Sequence, residues 1–167
     1  LHARHEAYVE VMNQKAEQGL DQDLTLRELL PGWLDRLASL PEELKTVLIE
    51  ETIQKELELE TDAIYENPYM IRLLSSIKEK DIPVILISDM YLGNELVEPI
   101  LHKIGYEGLY KTCYVSGDSS YLKRTGRLFD YVIEKEEIDV QKHIHLGDNY
   151  EADYDQARSR GMHAIFL

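Results

Sequence analysis

An α/β architecture, a doubly wound parallel sheet behind an all-helical front unit, follows from three features of the chain. From Asn67-Pro68 onward, short apolar runs alternate with helical patterns in a β-α-β-α-β-α-β rhythm, the signature of a parallel sheet. The run Pro83-Val84-Ile85-Leu86-Ile87 is continuously apolar, as strands covered on both faces are. Residues 1 to 66 carry helical stripes and capping signals but no strand pattern.

The elements follow in order. Tyr8, Val9, Met12 and Ala16 recur at helical spacing until Gly19 stops them. Thr25 with Glu28 has the form of a capping box, which opens a second helix that Pro31-Gly32 interrupts or ends. Ser39 with Glu42, and Pro41 between them, predicts the start of a third, longer helix. Its apolar rows include Leu44 with Leu48 and Ile49 with Ile53 and Leu57, and Glu51 with Lys55 is ordered for an i,i+4 pair. Asn67 as a cap and Pro68 at the first position start a helix reaching about Lys80. Beyond the strand near 83–87, the pattern predicts helices near 93–104, 125–135 and 150–160. Further strands are expected at 112–115, 143–146 and His163 to Phe166. The expected division is a helical unit over 1–66 and an α/β core over 67–167.

The bulk composition narrows the function. A chain of 167 residues fits one domain, or a core with a smaller attachment. The net charge of −14 argues against a general binder of nucleic acid or anionic membrane. The charge is concentrated in front: residues 1–68 carry 16 acidic and 6 basic side chains, residues 69–167 carry 16 and 12. Such an excess is ordinarily a solvated helical surface. One cysteine, Cys113, excludes an internal disulfide and a cysteine-rich zinc site, and a reducing, cytoplasmic compartment is expected. No apolar run approaches the ~20 residues that span a bilayer. No signal peptide is evident. The chain begins with Leu rather than Met, so an incomplete natural N-terminus is expected.

Three strand ends carry the chemistry. Ile87-Ser88-Asp89 puts a hydroxyl at the tip of a buried strand, placed to donate to a phosphate; the same residues equally suit a plain helix cap. Lys123 enters a helix after the Ser116-Gly117-Asp118 loop and can act as a point charge on a phosphate, whereas Arg124 and Arg127 read as solvated. The strand His143 to Leu146 runs into Gly147-Asp148-Asn149, with Asp153 five residues after Asp148. Two carboxylates past the carboxyl end of a parallel strand lie where such folds bind ligands. Magnesium takes one or two protein carboxylates, which Asp148 and Asp153 satisfy. Asn149 is a carbonyl donor or a support for them. The plainer reading is a turn followed by a surface carboxylate. His143 and His145 face one side of their strand without a third soft ligand, and read as packed or hydrogen-bonded residues.

Together these motifs resemble the haloacid dehalogenase-like (HAD) superfamily, mostly magnesium-dependent phosphohydrolases. The resemblance covers about 67–167: the strand ending in Ser88, Lys123 ahead of Phe129, Gly147-Asp148 with Asp153, then Ala157 to Gly161 and His163 to Phe166. It implies Ser88 and Lys123 as catalytic residues, Asp148 and Asp153 as Mg2+ ligands and Asp89 and Asn149 in support. It also implies a small phosphorylated substrate, a sugar phosphate among them, and a front unit that serves as the family's substrate-selecting cap. The Ser-Asp-Met-Tyr-Leu and Lys-x-x-Gly-x-Leu-Phe wording resembles a branch found beside surface-polysaccharide enzymes. The family's nucleophile is the first Asp of an Asp-x-Asp pair ending a central strand, and no such strand stands here; Asp21 and Asp23 have the spacing but no apolar run before them. Leu1-His2 reads as sequence that follows such a strand. An upstream segment, or another segment filling the gap, is therefore expected between the strands that end at Ser88 and Leu146. Two alternatives stand beside the phosphohydrolase. One is a non-catalytic phosphate- and Mg2+-binding or regulatory module; the other is a receiver-type domain, which would not need the front helices.

Overall fold

A computed structural model describes residues 2–167. Three helices come first: α1 (His2–Glu17), α2 (Leu26–Leu37) and α3 (Glu42–Ala63). Then follow α4 (Pro68–Lys78), β1 (Ile85–Ser88), α5 (Asn94–Lys103), β2 (Thr112–Val115), the single turn α6 (Ser116–Ser119) and α7 (Arg127–Lys135). The chain ends with β3 (Ile144–Gly147), a π-helical turn (Tyr150–Asp155), the short α8 (Gln156–Ser159) and β4 (His163–Phe166).

The front helices form as local signals and burial jointly dictate. Thr25 caps α2 by the expected box: its Oγ1 accepts from the Glu28 N–H while Glu28 accepts from the Thr25 N–H. Pro31 does not end this helix. Leu29 and Leu30 before it and Trp33 after it pack into the clusters shared with α1 and α3, and that burial outweighs the lost backbone bond. Gly32 lies against Ala7 of α1, where an added Cβ would make ordinary van der Waals contact at 3.6 Å. Helix α3 starts from Pro41 without a side-chain cap, so Ser39 does not play the role its spacing predicts. Along α1 the buried residues are Ala7, Met12 and Lys15, while Tyr8 and Val9 face solvent; along α3 only Ile53 is fully buried. Lys55 pairs with Glu58 rather than Glu51.

Tyr91, in the turn after β1, joins the helical unit to the core. Its hydroxyl lies 2.7 Å from Glu56 Oε1 and 2.6 Å from Glu60 Oε1 of α3, and its carbonyl accepts from the Leu26 N–H. Burial pushes its phenol upward, and the two carboxylates add to the shift. Replacing Tyr91 by Phe removes a part-buried hydroxyl shared by two acceptors. Urea unfolding should show a loss of about 1–2 kcal/mol.

The strands form two parallel ladders, β1 with β2 and β3 with β4. Leu86 and Cys113 face α5, and Ile87, His145 and Ala164 face the α7 side, so both ladders share one layer. On the α7 side a narrow slot is lined jointly by Ile85 and Ile87 of β1 and by His143 and His145 at β3, with Phe129 and Met162. The apolar run of β1 predicts burial on both faces, yet all four of its residues are half-buried, because only β2 pairs with it. On the opposite face of the second ladder Ile144, Leu146 and Ile165 stay 53%, 37% and 49% exposed. No helix among the described residues is long and apolar enough to cross a membrane.

Candidate active site

The C-terminal ends of β1, β2 and β3 gather the residues that the sequence singles out. Ser88 ends β1, in register with Val115 of β2. Asp89, the next residue, accepts the Lys123 N–H at 2.8 Å. Desolvation pushes the Asp89 carboxyl upward against the pull of that amide, a shift limited by the solvent the side chain still meets. Lys123 sits in a loop bounded by two left-handed residues, Ser120 (φ 55°) and Gly126 (φ 80°). Its ammonium donates to Asp153 Oδ1 at 2.7 Å.

Asp153 organises the end of β3. It is 3% exposed, and its Oδ2 accepts the Asn149 N–H at 3.1 Å while Asn149 Oδ1 accepts the Ala152 N–H at 2.9 Å. These reciprocal bonds cap the π-helical turn and press Asp153 back over the strand. Gly147 makes room for it: a Cβ there would collide with the Asp153 carboxylate. His145 Nε2 lies 3.4 Å from Asp153 Oδ1, with its ring edge-on to Phe129 at 4.9 Å, so His145 is a packed, hydrogen-bonded strand residue. Burial raises the Asp153 carboxyl, but the Lys123 ammonium, the Asn149 amide and His145 outweigh it and leave it below the usual carboxylate range. Asp148, five residues earlier and directly after β3, is exposed.

Arg127, expected to be solvated, is half-buried and tied down. It donates to the Gly19 carbonyl at 2.7 Å and to Asp21 at 3.2 Å, and stacks on Tyr121. Two further residues were out of reach of local pattern. Asp21 belongs to a polar loop in sequence but is buried against the Lys123 loop, and Ser116, fully buried at the end of β2, accepts the Met90 N–H at 3.0 Å. No local sequence signal marks Asp21 for this role, because its partners lie about a hundred residues downstream.

Among the described residues, no group of three or more His, Cys, Asp or Glu side chains is disposed to hold a metal. Both Asp153 oxygens are engaged by nitrogen donors, which leaves Asp148 as the exposed carboxylate open to a cation. Magnesium takes one or two protein carboxylates and fills its other positions with water and substrate oxygens, so Asp148 alone supplies one of the carboxylates that such a site would use.

Burial holds both His143 and His145 below the ordinary histidine value. The unfolded chain therefore binds protons that the folded chain refuses. Stability is fully present above about pH 6.5 and is lost as pH falls below it. A His143→Gln variant should flatten that slope in urea titrations between neutral and mildly acidic pH; an unchanged slope would rule out this histidine as a source.

Solved structures share this fold. A 2-haloacid dehalogenase from Pseudomonas syringae pv. Tomato DC3000 matches 100% of the chain and 68% of its own length, with a TM-score of 0.74 and 15% identity. The fold is haloacid dehalogenase-like. A HAD phosphatase from Thermococcus onnurineus matches 60% of the chain at a TM-score of 0.53 and 19% identity, and the chain spans 46% of that protein's length. A hydrolase from Streptococcus pneumoniae TIGR4 matches 100% of the chain and 86% of its own length, at a TM-score of 0.52 and 18% identity. No protein-family model matches the chain, and no curated protein is similar to it in sequence. In this HAD-like frame Ser88, Lys123, Asp148 and Asp153 lie at the carboxyl ends of parallel strands, beside the slot that β1 and β3 line.

Proposed function

We propose that this chain is the greater part of a Mg2+-dependent phosphohydrolase that acts through an aspartyl-phosphate on a small phosphorylated metabolite, a sugar phosphate among the candidates. The observation that carries the reading is the ammonium of Lys123, fixed by buried Asp153 at the strand ends bordering the β1–β3 slot. An extended segment seated in that slot would present a carboxylate to the same place. Its oxygen would bond phosphorus as the ester oxygen leaves with a proton, and water would then cleave the acyl phosphate. The Ser88 hydroxyl would donate to a phosphoryl oxygen, and Lys123 would offset charge on nucleophile and phosphate alike. Asp153, with Asn149, would hold Lys123 in place, and Asp89 would hold its backbone. Asp148, with the inserted carboxylate, would hold Mg2+, which supplies further charge neutralisation at the phosphoryl oxygens. Helices α1–α3 would be the cap that closes over the site and selects the substrate. The net charge of −14 argues against nucleic acid or an anionic membrane as partner.

The test is p-nitrophenyl phosphate hydrolysis by a protein that carries the additional strand. Asp148→Asn should lower Mg2+-dependent turnover by about 10²–10³-fold; full activity in that variant would remove Asp148 from the metal site. Thermal stabilisation by Mg2+ with a phosphosugar, but no turnover, would favour the binding module instead. A second reading has one observation behind it: the Pseudomonas dehalogenase matches the whole chain, front helices included, where the Thermococcus phosphatase matches 60%. The inserted carboxylate would then attack carbon and expel halide. No phosphoryl charge needs neutralising in that reaction, so halide release from a 2-haloacid should be indifferent to Mg2+.

A further inference from the structure

We infer that Asp21 is a positioning residue for Lys123, which makes the placement of that ammonium depend on docking of the front helices. Asp21 lies in the connection between α1 and α2 and is 8% exposed. Its carboxylate accepts the Leu122 N–H at 2.7 Å, the Thr125 hydroxyl at 2.5 Å and Arg127 Nη1 at 3.2 Å. Its own N–H donates to the Ser120 carbonyl at 3.1 Å, and buried Lys15 of α1 donates to the Ser120 hydroxyl at 2.8 Å. Arg127 also reaches the Gly19 carbonyl. Every one of these bonds joins residues 15–21 to residues 120–127.

The loop needs such support. Ser120 opens it with a positive φ that a side-chain-bearing residue adopts at a cost, and left-handed Gly126 closes it. Between these two points the backbone of Leu122 hangs on Asp21 and that of Lys123 hangs on Asp89. One carboxylate comes from the helical unit and the other from the end of β1. Adjacent amides are thus held by carboxylates of two different elements, immediately before the Cα from which the lysine side chain runs to Asp153. Without the Asp21 carboxylate the Leu122 amide, the Thr125 hydroxyl and Arg127 lose a shared acceptor. The bonds to Ser120 and to the Gly19 carbonyl still tie the loop's ends, but its middle is held only by Asp89, and the ammonium gains freedom to leave the strand ends. The assignment rests on Lys123 as the phosphate-facing cation of the proposed reaction, but its geometric content stands without turnover.

Competitive trace acetylation with acetic anhydride, read by peptide mass, tests it on the chain itself. In the wild type the Lys123 side chain is 16% exposed and paired, so it should react slowly beside Lys142, which is 83% exposed. In Asp21→Ala the Lys123 rate should rise several-fold relative to Lys142, with Lys111 unchanged. Asp21→Asn, which keeps an acceptor for the Leu122 amide, should give a smaller rise. An unchanged Lys123 rate in folded Asp21→Ala overturns the inference. Should that variant lose its circular dichroism signal, a Thr125→Val/Arg127→Gln protein, which removes two of the three donors from the more exposed side, decides by the same criterion. A strand-bearing protein with no phosphatase activity would defeat the proposed reaction while leaving the acetylation result, and hence the Asp21 assignment, intact.

Discussion

Replacing Lys123 by Met is expected to destabilise the chain by about 3 kcal/mol at neutral pH, because it strands a buried carboxylate. Asp153 is 3% exposed and cannot reach water when its ammonium is removed, whereas the Lys123 side chain, more exposed and longer, can swing outward when Asp153 is replaced. Asp153→Asn should therefore cost less, about 1–2 kcal/mol, although both variants break the same pair. The pH dependence has a definite sign. The folded state depresses the Asp153 carboxyl, so its contribution is present above the unfolded value near 3.8 and is lost as pH falls through the lower folded value. The deficit of Lys123→Met should accordingly shrink in strong acid. Urea unfolding of both variants at neutral and acidic pH measures this, and equal deficits at neutral pH would show that Asp153 is not the confined partner. In a strand-bearing enzyme the same Lys123→Met change should lower turnover by about 10²–10³-fold.

An apolar strand seated between β1 and β3 should stabilise the fold by about 2–4 kcal/mol. Burying three aliphatic side chains contributes roughly 1.5–3 kcal/mol each. Ordering four residues costs about 1–2 kcal/mol each, and the new ladder bonds offset part of that. Hydrogen exchange gives a sharper reading than a melting curve. Along β1 and β3 backbone groups alternate between the paired partner and the slot, so the chain alone should show protection in an every-second-residue pattern. With the strand in place, protection should become continuous along both. Continuous protection in its absence would mean that the slot edges are already satisfied. Bare edges of this kind also invite pairing between copies, so the stabilised form should be the less prone to associate.

Much of this fold was legible because its signals are local. The strands at Thr112–Val115 and His163–Phe166 stand where alternation with helical stretches puts them, and Asn67 caps α4 by accepting from Tyr69 and Met70 as Asn-Pro predicts. The strands ending at Ser88 and Gly147 belong to separate ladders, where the family resemblance leads one to expect a further strand between them. What failed was decided at a distance. Pro31 is a helix breaker by local chemistry, yet α2 continues because residues on both sides of it are buried by other helices. Of the stripe Tyr8, Val9, Met12 and Ala16 only Met12 is buried, because α1 packs against α2 through Ala7 and Met12 and sends Lys15 to Ser120. In the site the residue types and their strand-end positions were readable, but their pairing was not. Asp153 looks like a metal ligand by its spacing from Asp148, and only the fold brings Lys123, thirty residues away, onto its oxygen. Asp21, rejected as a nucleophile for want of a preceding strand, meets its partners about a hundred residues downstream.

Cys113 has a use of its own. It is the chain's one thiol, 6% exposed in β2 beneath α5, and burial pushes it up to about 11. A thiol-specific reagent meets almost no thiolate there, and no path to it, while that half of the sheet is closed. Each modification then records one parting of β2 from α5, and nothing that happens around β3 and β4 adds to the tally. Followed over time, the reaction becomes a single-site clock for the opening of one half of the molecule, with no engineered label required.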